Sequence, residues 1–349
     1  MITKVNREWF LGKLESVSPG LDPKSALLLQ SDCFVFRNNR VFTFNDDAAG
    51  RAILKIDPPV EGAVNATKLL EVLRKYTSED IALKVEDDRF TVMVPGKRKA
   101  RILMEAEISL PIEEIEKPSD WSFVSDEFVD AVNACQIRSK GDSFVYNCLH
   151  IHPNWIESCG ETQVCRWTFK TGLKQPALVK QDAAKKISAL GITALSETET
   201  WLHFKNHDGA ILSLKKHLGF DFKDVGTVLA GAGKGEKVSL PKGIKEAVEM
   251  AQIMASDNQE DGMVRVDLRP GEVVITGEGM KGEAIEPRKI SYKGKDLSFY
   301  ITSKILIMIV DKFPDCVVSN GKLKAEVGNF EFCTCLLLPE ERNQEQGDE

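Results

Sequence analysis

Ala66-Thr67-Lys68-Leu69-Leu70-Glu71-Val72-Leu73-Arg74-Lys75-Tyr76, followed by residues 81–85 and 90–94, is the stretch on which the reading of the fold turns. Leu69, Leu70, Leu73 and Tyr76 recur at three-to-four spacing, so one side of a helix is apolar. Lys68, Arg74 and Lys75 fall on the other side. The two runs that follow are short and rich in β-branched and aromatic residues, and Asp87-Asp88 divides them as a turn would. The unit is thus an amphipathic helix that feeds short strands.

The same plan recurs along the chain. Residues 6–17 carry Trp9, Phe10, Leu14 and Val17 at helical spacing. Residues 126–139 carry Phe128, Val129 and Val132, with Ser125 placed as an N-cap. Residues 181–190 carry Ala183, Ala184, Ile187 and Leu190 and close on Gly191. Residues 241–255 open with Pro241, suited to a first turn, and present Ile244, Val248 and Ala251. Residues 303–313 present Ile305, Leu306, Ile309 and Phe313 before Pro314 stops them. Strand-like runs follow each helix. They are 26–29, 33–37, 41–45 and 51–56 after the first, and 81–85, 90–94 and 99–104 after the second. The third helix precedes 145–152 and 162–169, and the fourth 192–196, 200–205 and 210–215. The fifth precedes 263–269, 273–278 and 282–292, and the sixth 316–320, 322–327 and 330–338. Asn38-Asn39, His207-Asp208-Gly209 and Pro270-Gly271 supply turns. Helix, about four strands, helix, about four strands occurs three times, with a period of roughly 115–120 residues. The pattern predicts an α+β protein of three repeated domains, each with two helices packed on antiparallel sheets. Their expected spans are residues 1–117, 118–236 and 237–339, with an acidic tail at 340–349. The joints fall in 112–120 and in the glycine-rich 222–238.

The 349 residues, 42% apolar and 28% charged, suffice for two or three cores of about 100–150 residues each. The longest apolar run, 305–310, is far short of the ~18 residues that read as a membrane span. The start, Met1 to Val5, leads into an amphipathic segment and not a signal-peptide apolar region, so a cytoplasmic protein is expected. The eight cysteines (33, 135, 148, 159, 165, 316, 333 and 335) lack paired zinc-knuckle spacing. Cys333 and Cys335 alternate in a strand-like run and should share a face. Reduced, buried thiols are expected, with no metal and no other cofactor.

The net charge of −7 argues at first against nucleic acid, because phosphate binding rests on cations that displace counterions. The distribution argues otherwise. Each of the six helices carries cations on its polar side: Arg7 and Lys13; Lys68, Arg74 and Lys75; Arg138 with Lys140; Lys180, Lys185 and Lys186; Lys242 and Lys245; Lys304 and Lys312. The acid lies in loops, at Asp46-Asp47, Asp87-Asp88, 113–116, 257–261 and 340–349. Lysines on a single helix are ordinarily solubilising. Six basic helices that shared one surface would suit a phosphate backbone touched without reading its sequence. The candidate DNA contacts are Arg7, Lys13, Lys24, Lys68, Lys75, Arg138, Lys140, Lys185, Lys186, Lys242, Lys245 and Lys304.

Catalytic readings are weaker. Gly231-Ala232-Gly233-Lys234-Gly235-Glu236-Lys237 resembles a phosphate loop, but no Ser or Thr follows either lysine, and a linker is the better reading. His150 and His152 could share one side of a strand, yet no third metal ligand stands at useful spacing. Asp46-Asp47 and Glu283 with Glu286 match catalytic carboxylates in composition only. The alternative to a binding protein is a metal-dependent nucleic-acid-processing enzyme on a repeated fold.

A family resemblance adds to this. Residues 282–286, 293–301 and the helix 304–313 resemble the third domain of the bacterial DNA polymerase III beta subunit, the sliding clamp. Residues 333–339 look like that family's last strand and its apolar-Pro ending. Val64-Asn65-Ala66 with 69–73 and 81–86 resembles its first domain, and 177–183 with Trp201-Leu202-His203-Phe204 its second. The resemblance covers residues 1–339 through several short matches in the right order, not through one motif. It implies a non-catalytic processivity factor. Two three-domain crescents would close head-to-tail as a homodimeric ring around duplex DNA, with helices lining the hole and sheets outside. The ring would tether a DNA polymerase, the clamp loader and other replication or repair proteins. By position, the resemblance puts Ile102, Met104, Ile253 and Met254 across the dimer contact. It also puts Trp167, Leu173, Val228, Leu229, Leu336, Leu338 and Pro339 in a pocket between the second and third domains that takes a short apolar peptide. Ordinary core packing is the plain alternative for all eleven. The sequence departs from the family at that pocket. Trp167-Thr168-Phe169-Lys170-Thr171-Gly172-Leu173 replaces a Thr-Asp-Gly-x-Arg-Leu-like run, and the acidic tail Glu340 to Glu349 is added. Both departures suit a divergent clamp, such as one encoded by a phage or plasmid.

Overall fold

Six times along the chain, a strand leads into a helix and three strands follow. The computed structural model describes residues 2–25, 28–137, 141–255, 262–319 and 321–340. The first copy is β1 (Ile2–Asn6), α1 (Arg7–Val17), β2 (Cys33–Arg37), β3 (Arg40–Phe44) and β4 (Ala48–Ile53). The second is β5 (Gly62–Asn65), α2 (Ala66–Lys75), β6 (Asp80–Glu86), β7 (Arg89–Val94) and β8 (Arg98–Glu105). The third is β9 (Ser122–Phe123), α3 (Glu127–Ala134), β10 (Cys148–His152), β11 (Trp155–Cys159) and β12 (Gln163–Thr168). The fourth is β13 (Ala177–Lys180), α4 (Gln181–Lys185), β14 (Ile192–Glu197), β15 (Trp201–Asn206) and β16 (Ile211–Lys215). A short helix, α5 (Val225–Gly231), intervenes. The fifth copy is β17 (Glu236–Val238), α6 (Ile244–Ala255), β18 (Met263–Arg269), β19 (Glu272–Gly279) and β20 (Gly282–Lys289). The sixth is β21 (Leu297–Thr302), α7 (Ser303–Lys312), β22 (Cys316–Ser319), β23 (Lys322–Val327) and β24 (Phe330–Cys335).

The leading strand of each copy pairs with a strand of its neighbour; only β5 also touches its own copy, at β8, among the described residues. β1 pairs with β6 and β5 with β2; β9 with β14 and β13 with β10; β17 with β22 and β21 with β18, all antiparallel. The exchange ties the copies into three pairs and covers strand edges that would otherwise stay open. The helices pack in the same pairs: α1 on α2, α3 on α4, α6 on α7.

One aromatic from each helix pair is driven into its sheet. Phe10 of α1 stacks at 6.3 Å on Phe36, which stacks at 5.7 Å on Phe90. Phe128 of α3 meets Phe204 at 5.4 Å, and Phe313, just past α7, meets Phe330 at 5.7 Å. Each such side chain contributes about 1.5–3 kcal/mol by burial, and each ring pair roughly 0.5–1.5 kcal/mol more.

Two compact units emerge from the packing. The first comprises Met1–Gln136, Cys148–Asn154 and Lys170–Phe220. It holds a sheet in the order β1-β6-β7-β8-β5-β2-β3-β4-β16-β15-β14-β9, together with the β10–β13 ladder. The second comprises Ile137–Asn147, Trp155–Phe169 and Asp221–Glu349. It holds β11-β12-β24-β23-β22-β17 and the separate sheet β20-β19-β18-β21.

The structure corrects several sequence expectations. The helix expected over 126–139 ends at Ala134. Ser125 does not cap it: its hydroxyl is buried without a partner, and its carbonyl accepts the Phe128 N–H at 3.0 Å. The helix expected over 181–190 is one α-turn followed by a 3-10 turn, 186–189. The helix expected from 241 begins at Ile244, after a turn in which the Pro241 carbonyl accepts its N–H at 2.9 Å. The glycine-rich segment 222–238 is not all linker. Asp224 accepts the Gly226 N–H at 2.9 Å and caps α5. The strand expected at 26–29 falls partly outside the described residues, and Leu28 and Leu29 lie in a turn. The run 145–152 divides into a 3-10 turn and β10, and β11 was not foreseen. Cys333 is buried while Cys335 is exposed, so the two do not share an environment; none of the eight cysteines is disulfide-bonded. Among the described residues no helix is long and apolar enough to cross a membrane.

Candidate nucleic-acid surface, strand edges and partner cleft

Asn6 and Asn65 begin the first two helices by accepting the Trp9 and Lys68 N–H groups at 2.9 and 3.0 Å. That fixes which way the polar sides of α1 and α2 turn. The cations there divide into structural and displayed ones. Arg7 is structural: its guanidinium donates to the carbonyls of Ser78 (3.1 Å) and Leu73 (3.3 Å), closing the end of α2. Arg74 pairs with Glu15 at 2.8 Å across the two helices. Lys186 is also structural. Its ammonium donates to the Pro19 carbonyl at 2.7 Å, and burial lowers its pKa. Lys180 is held at 3.1 Å by Asp47. Lys13 donates to the Asp208 carbonyl at 3.2 Å, Lys68 pairs with Glu71 at 3.3 Å, and Lys245 pairs with Asp311 at 2.7 Å. Lys24, Lys75, Lys185, Lys242, Lys304 and Lys312 are exposed. Arg138 and Lys140 lie outside the described residues.

Strand edges form the second feature. The last strand of a copy joins two pairs in a regular way. β4 pairs antiparallel with β16, Ala48 opposite Leu214 and Arg51 opposite Ile211. β12 pairs antiparallel with β24, Gln163 opposite Thr334 and Trp167 opposite Phe330. Two last strands remain, β8 and β20. Among the described residues, β8 meets β5 only at Met104 and Glu105, which leaves 98–103 open on that side. Among the described residues β20 pairs with β19 alone. The open stretch of β8 carries Arg98, Lys99 and Arg101, and Leu103 is 58% exposed; β20 carries Glu283 and Glu286, and Ile285 is 57% exposed. Ile102 and Met104, expected at a dimer contact, are buried in their own sheet face. Ile253 is 59% exposed at the end of α6, and Met254 is partly exposed beside it. Leu103, Ile285, Met250 and Met280 are further exposed apolar residues; the out-of-phase apolar Leu103 in Arg-Lys-Ala-Arg-Ile-Leu was the available signal for the first.

The third feature is a cleft of about 320 Å³ in the second unit. Reciprocal backbone bonds between Tyr300 and Leu337 (2.8 and 3.1 Å) bolt the chain after β24 onto β21. Alternation then turns Leu336 and Leu338 to one side, where they line the cleft with Phe299, Val318, Lys234 and Glu236. The other residues expected in a peptide pocket are not in this lining. Leu229 is buried in a core cluster with Val225, Ala232, Cys159 and Cys333. Val228 is 37% exposed on α5. Trp167 packs against Phe330, ring centroids 5.6 Å apart. Leu173 is buried in the first unit, and Pro339 is partly exposed.

The remaining chemical candidates have structural settings. Burial pushes the Asp47 carboxyl upward, but hydrogen bonds from His217 and Lys180 outweigh that and hold it below the usual aspartate range. His150 and His152 have ring centroids 6.2 Å apart. Among the described residues no group of three or more His, Cys, Asp or Glu side chains is placed to hold a metal. His203 Nδ1 lies 2.8 Å from the Ser213 hydroxyl and its Nε2 lies 3.1 Å from that of Thr198, a serine–histidine pair in appearance. His203 is 0% exposed and Ser213 3%, so no substrate reaches them.

No family model matches the sequence, and no curated protein is similar to it in sequence. The fold does match solved structures. The DNA polymerase III subunit beta of Pseudomonas aeruginosa is similar with a TM-score of 0.78 at 14% identity, over 97% of this chain and 100% of that one. The sliding clamp of Bartonella birtlesii bound to griselimycin gives 0.83 at 14% identity, over 97% and 99%. The Helicobacter pylori beta clamp bound to a DNA ligase peptide gives 0.74 at 12% identity, over 97% and 100%.

Proposed function

We propose that this chain, which has the fold of the DNA polymerase III beta sliding clamps, is a non-catalytic clamp. Two copies close into a ring around duplex DNA and tether a polymerase and other replication or repair proteins. One observation carries the reading. Last strands join pair to pair at β4–β16 and β12–β24, while β8 and β20 keep open edges. A head-to-tail β8–β20 ladder between two copies repeats the same joint and closes the assembly. The three arginines and lysines of β8 meet the glutamates of β20, and Leu103 meets Ile285, as cross-strand pairs do. Under this reading the chain divides into three domains of two copies each, at about 1–117, 118–236 and 237–339, which the exchanged strands support. Lys24, Lys75, Lys185, Lys242 and Lys304 make the mobile phosphate contacts, and the cleft beside Leu336 and Leu338 receives a short apolar partner peptide.

Light scattering should give twice 38.8 kDa at micromolar concentration. The protein should stay on circular DNA and leave when the circle is cut. A monomer, or equal retention on linear DNA, would remove the ring. Replacing Lys75, Lys185 and Lys304 by Glu should lower retention without changing the unfolding midpoint.

A further inference from the structure

Sulfur is distributed unevenly over the reactive surface. Seven of the eight cysteines are buried. Burial pushes the thiols of Cys33 and Cys316 up to about 12 and those of Cys159 and Cys333 up to about 11. Such groups are not the thiolates that oxidants attack. Three methionines show the reverse. Met280 is 80% exposed, Met250 49%, and Met254 is partly exposed. They belong to one place. Met250 and Met254 stand one turn apart on α6, and Met280 lies in the turn that enters β20. The Ala251 carbonyl approaches Gly277 so closely that a Cβ there would sit 1.8 Å from it, which seats the end of α6 on the β19–β20 hairpin. The Met254 sulfur lies 3.6 Å from where a Cβ on Gly282 would stand. Ile253, also exposed, completes an apolar patch beside the open edge of β20.

We propose that Met250, Met254 and Met280 are an oxidation site, at which a hydroperoxide converts the β20 face from one that closes on a second copy to one that does not. This rests on the dimer reading above. The thioether sulfur attacks the terminal oxygen of the hydroperoxide. An S–O bond forms as the O–O bond breaks, and the terminal proton passes to the leaving oxygen. Sulfur loses two electrons, and the peroxide is reduced to an alcohol or water. The product is a polar sulfoxide, and burying it without a donor against β8 opposes closure. Methionine sulfoxide reductases return the thioether, so the change is reversible.

The test treats the full-length protein with hydrogen peroxide, maps added oxygen by peptide mass spectrometry and follows assembly by light scattering. Cys335→Ser serves as background, which removes the exposed thiol. Oxygen should appear first at Met280 and Met250, well before Met104, which is 5% exposed. The self-association constant should weaken at least about tenfold and recover with the two reductases. In M250L/M254L/M280L, the treated-to-untreated ratio should stay near one, whatever its starting affinity. Unchanged assembly with Met250 and Met280 fully oxidised overturns the proposal, as does an equal loss in the leucine variant. A monomer before any treatment removes the dimer reading and this inference with it.

Discussion

Glu157 is 3% exposed, and Arg166 stands against it, Nη2 at 2.6 Å and Nε at 2.7 Å from the same carboxylate oxygen. The guanidinium also lies 4.6 Å from the centre of the Trp155 ring. Arg166→Ala removes the cation that faces a buried carboxylate and should lower unfolding free energy by about 3–5 kcal/mol, read from the urea midpoint; Arg166→Lys should lose less. His203 sets a pH limit. Burial, reinforced by the Arg51 charge, pushes it down to about 4. Below its ordinary value near 6.5 the unfolded chain takes a proton that the folded one refuses. Stability should therefore fall as pH drops from about 6.5 to about 4, by up to about 3 kcal/mol. His203→Gln should flatten that part of the curve in urea titrations. Neither network was visible beforehand, because both join residues that only the sheet register brings together.

Helices with strong apolar periodicity were legible, and their ends were not. Residues 66–75 carry their own start signal in Asn65, whose side chain accepts from Lys68 and donates to Asp32 at 2.7 Å. Asn65→Ala should cost about 1–2 kcal/mol of stability in thermal or urea unfolding. The helix at 126–139 stopped early, at Cys135, where the backbone leaves the helical region although the buried side continues in phase. The helix at 181–190 tightened because Lys186 turns inward to Pro19. Leading strands such as β9 and β17 escaped detection because two or three residues show no alternation; their partners lie in another copy. The open edges were hidden for the same reason, since an unpaired side is a property of register. Leu103→Asp or Ile285→Asp should weaken self-association at least about a hundredfold, measured by light scattering or sedimentation, while the unfolding midpoint hardly moves.

At the scale of the whole molecule, the threefold order of helices and strands was legible because it repeats, and repetition survives the loss of any one signal. The basic surface was legible only as a list of cations. Arg7, Lys180 and Lys186 belong to the fold, which narrows the displayed set mainly to lysines. Retention on DNA should then fall steeply with salt, as counterion release requires. Assembly itself should weaken less, because apolar contacts accompany the ionic ones at β8 and β20; parallel salt titrations of the two would show it.

The unlike edges of β8 and β20 have a kinetic consequence for the proposed ring. The proposed ring of two copies would have two identical seams. When one parts, the other still holds the separated strands near each other, at an effective concentration on the order of millimolar. Rejoining is then intramolecular and outpaces escape, so a gap on one side opens and heals many times before the subunits separate. Lowering protein concentration slows re-formation from free subunits but leaves this local healing untouched.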